Sequence, residues 1–188
     1  ATAPIVIRSV PGERALLTRP ADNIDTQNNI ELVQCSYLVL KDLAFGGGSI
    51  NVRVIGGDHV TIEGCEIYGS GNNGIALNSS GYTYDSFVIR GNQIHDTGQS
   101  VTGTTEGEGM YLGCNNNACR VTNFIVENNW IHHLRSNSDG GNDGIEVKYG
   151  SGGNIIRNNV IHDNNIGRQF PGIFVYGGGG ASNIVEGN

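Results

Sequence analysis

The chain is 188 residues long, with 30 glycines, 15% charged residues and a formal net charge of −7 from 11 basic and 18 acidic side chains. That length suits one domain with a sizeable core, and the glycines argue for many tight turns rather than helices or a coiled coil. The acidic balance repels phosphate backbones and argues against a nucleic-acid partner. No apolar run approaches the roughly twenty residues that span a bilayer.

In chain order, Ile5 to Ser9 and Ala15 to Thr18 read as short strands around a Pro11-Gly12 turn. Ile30 to Val33 and Tyr37 to Phe45 follow, the latter with Leu38, Leu40 and Leu43 directed inward. Gly46 to Gly48 form a turn, and Ile50 to Val54 is the next alternation. From there two motifs strictly alternate. One is Gly74-Ile75-Ala76-Leu77, Gly109-Met110-Tyr111-Leu112, Gly144-Ile145-Glu146-Val147 and Gly172-Ile173-Phe174-Val175. The other is Asn92-Gln93-Ile94-His95, Asn129-Trp130-Ile131-His132 and Asn159-Val160-Ile161-His162. Alternation of this kind makes them two faces of one repeating coil.

Aligning the motifs predicts a register. Leu40, Ile62, Ile89, Val126, Ile156 and Val185 form one column, and Phe45, Ile67, Ile94, Ile131 and Ile161 form another. Between them stand Leu43, Cys65, Asn92, Asn129, Asn159 and Asn188, whose successive differences are 22, 27, 37, 30 and 29. Strands of constant length joined by variable outer loops produce such spacings. The asparagine column has a physical reason: a buried bend leaves backbone groups unpaired, and a stacked amide satisfies them while bonding to its equivalent one coil away. Leu43 and Cys65 give that stack an apolar start.

Cys114 and Cys119 flank a four-residue loop and are expected to form a disulfide, which implies an exported, secreted or cell-surface protein. Their spacing does not suit zinc. Cys65 reads as a small core residue.

The repeating pattern resembles the right-handed parallel β-helix proteins, in particular the pectate-lyase-like superfamily and its chondroitinase-B/alginate-lyase-like polysaccharide lyases. The opening Ala3-Pro4-Ile5-Val6-Ile7-Arg8 and Pro11-Gly12-Glu13 resemble the start of the chondroitinase-B-like subset. The resemblance implies an all-β solenoid of about six coils over a single domain, residues 1–188. Both ends read as cut, so the chain is expected to be a segment of a longer solenoid.

Alternation decides which side chains point outward. Asn51, Ala76, Tyr111, Glu146 and Phe174 are expected as one exposed column, and Arg53, Asn78, Gly113, Lys148 and Tyr176 as the next. Aromatic rings beside hydrogen-bonding charges suit a sugar's apolar face and hydroxyls, so Tyr111, Glu146, Phe174, Tyr176 and the lone Trp130 are candidate substrate-binding residues. Long insertions precede this sheet: 97–108, 135–143 and 164–171. Their Glu106, Glu108, Asp139 and Asp143 are candidate oxygen ligands for Ca2+, or solvated turn carboxylates.

For a lyase, β-elimination removes the C5 proton of a uronic acid after its carboxylate has been neutralised. The chondroitinase-B-like resemblance implies a Lys on one coil, an Arg on the next and a calcium site. Lys148 matches the Lys and would be the base. The next coil carries Tyr176 where the family has Arg, so Arg168 in the preceding loop is the candidate cation. The family's paired glutamates are also missing. His95, His132 and His162 form an outward column that either stacks or binds a transition metal. Two functions stay open: an extracellular module that binds or cleaves acidic polysaccharide, or a non-catalytic solenoid that packs against cell-surface or filament neighbours.

Overall fold

A computed structural model describes residues 3–21, 27–138, 141–164, 170–177 and 181–188. Every strand pair in it is parallel, and the chain winds as a parallel β-helix with three sheets. Sheet I contains Ile5–Arg8, Leu38–Lys41, Thr61–Glu63, Val88–Arg90, Ile125–Glu127, Ile155–Arg157 and Ile184–Glu186. Sheet II contains Leu16–Thr18, Ala44–Gly46, Glu66–Tyr68, Gln93–His95, Trp130–His132 and Val160–His162. Sheet III starts from Ile30–Ser36 and Val52–Asp58 and then forks. One branch continues through Ile75–Leu77, Met110–Leu112, Ile145–Val147 and Ile173–Val175, the other through Thr83–Asp85 and Arg120–Thr122. Among the described residues no helix is long and apolar enough to cross a membrane.

The core is a set of vertical rows. Leu40, Ile62, Ile89, Val126, Ile156 and Val185 pair in succession along sheet I. Phe45, Ile67, Ile94, Ile131 and Ile161 do so along sheet II. All but the terminal Val185 and Ile161 are essentially inaccessible to water. Between these sheets Asn92 Nδ2 donates to Asn129 Oδ1 (3.0 Å), Asn129 Nδ2 to Asn159 Oδ1 (2.9 Å) and Asn159 Nδ2 to Asn188 Oδ1 (2.7 Å). Each amide also donates to a main-chain carbonyl and accepts a main-chain N–H, so the buried bend leaves no polar group unpaired there.

The residue just before each of these positions explains how the chain turns. Asp42, Gly64, Gly91, Asn128, Asn158 and Gly187 all have φ between 54° and 64°. This is the left-handed region that only Gly, Asn and Asp enter readily. Close approach accounts for the repeated glycines of sheet III. A Cβ on Gly109 would stand 2.5 Å from the carbonyl oxygen of Gly144, and one on Gly144 would stand 2.5 Å from that of Gly172.

The outer face of sheet I carries a row that the apolar pattern hides. Lys41, Glu63, Arg90, Glu127, Arg157 and Glu186 pair in register and alternate in sign. Glu63 accepts from both Lys41 and Arg90, and Arg157 donates to Glu127. Opposite charges on adjacent strands favour this stacking order over a slipped one. Cys114 and Cys119 form a disulfide with Cα atoms 5.0 Å apart.

Candidate functional site on the outer face of sheet III

The outward row of sheet III is Arg53, Ala76, Tyr111, Glu146 and Phe174. This corrects the sequence register at its head: Arg53, not Asn51, pairs with Ala76. Asn51 is fully buried, and its Nδ2 donates to the carbonyls of Phe45, Gly47 and Tyr68. Bonds to the bend carbonyls hold the amide inside, and Arg53 takes the place in the row. The next row contains Asn78, Gly113, Lys148 and Tyr176, linked by main-chain hydrogen bonds from coil to coil.

A second correction concerns exposure. Tyr111, Glu146 and Lys148 retain only 7%, 3% and 3% of their accessible surface, whereas Phe174 keeps 38%. The outward face here is covered, and Tyr111 packs with Ile50 and Ala76 as a small apolar cluster outside the main core. The Lys148 ammonium is ion-paired with Glu146 and lies 4.4 Å from the ring centre of Tyr111 and 4.5 Å from that of Tyr176. Tyr176 in turn contacts Phe174 and Tyr149, with ring centres 4.3 and 4.8 Å away. Two aromatic faces and a carboxylate thus hold one cation.

The residue before each repeating glycine forms a third row. Asn73, Glu108 and Asp143 precede Gly74, Gly109 and Gly144, and main-chain bonds connect them across coils. Asn73 Nδ2 donates to Glu108 Oε2, and Glu108 and Asp143 are almost wholly buried. Burial, followed by repulsion from Glu106, Glu146 and Asp143, pushes the Glu108 carboxyl up to about 8. Burial and then Glu146 push Asp143 up to about 7, against the pull of Lys148. Burial also raises Glu146, opposed by its hydrogen bond to Lys148. Desolvation pushes the Tyr111 and Tyr176 phenols up to about 12. Asp143 Oδ1, Glu146 Oε2 and both polar atoms of Asn142 are buried without a hydrogen-bond partner.

Of the residues expected from sequence, the structure gathers Tyr111, Glu146, Lys148, Phe174, Tyr176, Glu108 and Asp143 on this face. Glu106 joins at the rim: Gly141 packs so closely that a Cβ there would stand 2.5 Å from the Glu106 Cβ and 2.6 Å from Glu108 Oε1. Asp139 and Arg168 lie outside the described residues. Among the described residues no three Asp, Glu, His or Cys side chains are grouped so as to hold a metal ion. Trp130 stands elsewhere, on the outer face of sheet II, where its Nε1 donates to His162 Nε2 (2.7 Å). The histidines there stack: His95 to His132 at 5.0 Å and His132 to His162 at 5.4 Å between ring centres.

Sequence reasoning missed the site roles of Arg53, Asn73 and Asn78. The signal for Asn73 was present, because Asn73, Glu108 and Asp143 hold the same place before the glycine of each repeat. Arg53 and the two asparagines help line a groove of about 460 Å³ that also contains Glu31, Glu106 and Tyr111. Tyr111 joins this groove to the Lys148 cluster.

The chain is similar to the crystal structure of an alginate lyase from Paenibacillus sp. str. FPU-7, with a TM-score of 0.74 and 21% identity over 97% of this chain. The match spans 60% of that protein's length, and at this identity it bears on fold alone. No curated protein matches the chain. The family model described as "Right handed beta helix region" matches residues 28–188. With its parallel coils, stacked rows and that match over most of its length, the chain belongs to the right-handed β-helix family.

Proposed function

We propose that the outer face of sheet III binds an acidic polysaccharide outside the cell and cleaves it by β-elimination at a uronic acid unit. The observation that carries this reading is the Lys148–Glu146 pair held between the rings of Tyr111 and Tyr176. Its chemistry supplies the base and the acid of the reaction. Lys148 Nζ takes the C5 proton once its own proton rests on Glu146, whose carboxyl burial makes a better base than an ordinary carboxylate. The C5–H electrons form the C4=C5 double bond and the bond from C4 to the glycosidic oxygen breaks. The Tyr111 phenol, still protonated at neutral pH, gives its proton to that oxygen. Proton exchange between Tyr111 and Lys148 restores the starting state.

The substrate carboxylate must be neutralised for its C5 proton to leave. Position 176 holds Tyr instead of a cation. Glu108, with its carboxyl at about 8, keeps its proton at neutral pH, and Asp143, at about 7, keeps it about half the time; in that form they serve here as neutral hydrogen-bond donors to that carboxylate. Among the described residues Glu106, Glu108 and Asp143 are not grouped to hold an ion, so no calcium site is assigned to them. The disulfide supports an extracellular setting.

The burial of Lys148 favours a second reading, in which the ion pair is a structural clamp in a non-catalytic surface solenoid. The two readings separate in one assay. The wild-type chain and Lys148→Ala are incubated with alginate, pectate and chondroitin, and the ultraviolet absorbance of the unsaturated product is followed. Product from the wild type alone is expected; no product from the wild type on any acidic glycan sinks the lyase reading.

A further inference from the structure

Among the described cations, those drawn in from solvent are matched with carboxylates, with one exception. Half-buried Lys41 and Arg157 pair with Glu63 and Glu127, and buried Lys148 pairs with Glu146. Arg53 is also half-buried, yet no described carboxylate forms an ion pair with it. Its Nη1 donates to Asn78 Oδ1 and its Nη2 to Ser79 Oγ (2.9 Å), both neutral acceptors. They fix the plane of the guanidinium, and Glu31, its in-register neighbour on the adjacent strand, lines the same groove without ion-pairing to it. A rigid, partly desolvated guanidinium with free donors suits a planar carboxylate, which it can grip through two parallel bonds.

The rest of the groove around Arg53 has a different character. Ser49, Asn72 and Asn73 line it with neutral polar groups, of which Asn72 Oδ1 already accepts from the Glu106 and Gly107 N–H groups and Asn73 Nδ2 already donates to Glu108; Tyr111 supplies a ring, and Glu31 and Glu106 supply carboxylate acceptors. Glu31 is already engaged by Asn28 Nδ2 at 2.9 Å. Amides and carboxylates accept sugar hydroxyls well, whereas two carboxylates repel a second anionic group on the same unit. The volume of about 460 Å³ falls within the usual range for ligand pockets, roughly 300–1,000 Å³.

We infer that this groove is a sugar subsite for an unsulfated uronic acid unit, and that Arg53 is its specificity-determining residue, gripping the unit's carboxylate. The subsite rests on the reading of sheet III as a polysaccharide face, although not on catalysis there. Because Tyr111 is shared, a bound glycan runs along the helix axis. One stretch lies over Arg53 and the next over Lys148, and the exposed rings of Phe174 and Tyr149 lie beyond.

The test is calorimetric titration of the whole chain with oligogalacturonate and oligomannuronate pentasaccharides and with their carboxyl-reduced, neutral counterparts. The wild type is expected to bind one of the charged pentasaccharides about tenfold to a hundredfold more tightly than its neutral form, the range for a hydrogen bond to a charged group. Arg53→Gln is expected to erase that preference, and Arg53→Lys to keep part of it. Circular dichroism checks that both variants fold. Equal binding of charged and neutral forms by the wild type overturns the inference, as does a folded Arg53→Gln that keeps the preference. Arg53-dependent binding without unsaturated product leaves the inference standing and removes only the lyase chemistry.

Discussion

The Lys148 ammonium lies 4.4 Å from the centre of the Tyr111 ring, and these two residues are 37 positions apart in sequence but on adjacent coils. That contact and the ion pair to Glu146 make Lys148 the hub of the covered face of sheet III. Removing one partner of a buried ion pair costs about 3–5 kcal/mol, because the other charge is left unpaired. Lys148→Met is therefore expected to lower stability by roughly 3 kcal/mol, the low end of that range, since Glu146 is already held up by burial and takes a proton. Combining it with Glu146→Gln should recover part of the loss. Urea unfolding of the two single variants and the double variant measures this coupling. A double variant as damaged as the sum of the singles would contradict it.

Stability should decline as pH rises across neutrality. Glu108 and Asp143 have folded values of about 8 and about 7, well above those of unfolded carboxylates. Between the unfolded and folded values the native state holds more protons than the unfolded one, so raising pH favours unfolding. The loss is complete once pH exceeds the folded values. Glu63 acts in the opposite sense: its hydrogen bonds to Lys41 and Arg90 lower it, so its contribution is lost only as pH falls below the ordinary carboxylate range. The urea midpoint should peak at weakly acidic pH and drop toward about pH 9. Glu108→Gln should flatten that drop.

The stacked amides predict a steep positional effect. Asn129→Ala removes the donors to Ile89 O and Asn159 Oδ1 and the acceptor for the Asn92 N–H. Leaving buried polar groups unpaired costs about 1–3 kcal/mol each, so a loss of about 3 kcal/mol or more is expected. Asn188→Ala, at the exposed end of the row, should cost about 1 kcal/mol. Equal unfolding midpoints for the two variants would show that the stack adds little.

Reducing the Cys114–Cys119 disulfide should cost about 2 kcal/mol, because the loop it closes is short, with a sequence separation of 5. Melting with and without a thiol reductant, compared with Cys114→Ser/Cys119→Ser, checks the value. The double variant should melt with the reduced protein.

The parallel solenoid was legible in the sequence because its core is periodic. Leu40 to Val185 and Phe45 to Ile161 recur at matched offsets from the asparagines, and a slip by one residue would turn each apolar row to solvent. Two signals went unread: the Asp, Gly or Asn at positive φ in each bend, and the alternating charges on sheet I. Each is plain once the rows are aligned.

What only the tertiary structure decided is how the outward face closes. Alternation expected Tyr111, Glu146 and Lys148 in exposed outward columns and could not report that they are buried there or that Glu108 and Asp143 stand beside them. Nor could it separate Asn51 from Arg53, because two residues of the same parity both fit an alternating pattern, and the choice fell to the bend carbonyls that bind the Asn51 amide. Core rows follow from local period and hydrophobicity. The site depends on loops of unequal length folding over the sheet, and on charges whose partners lie a whole coil away.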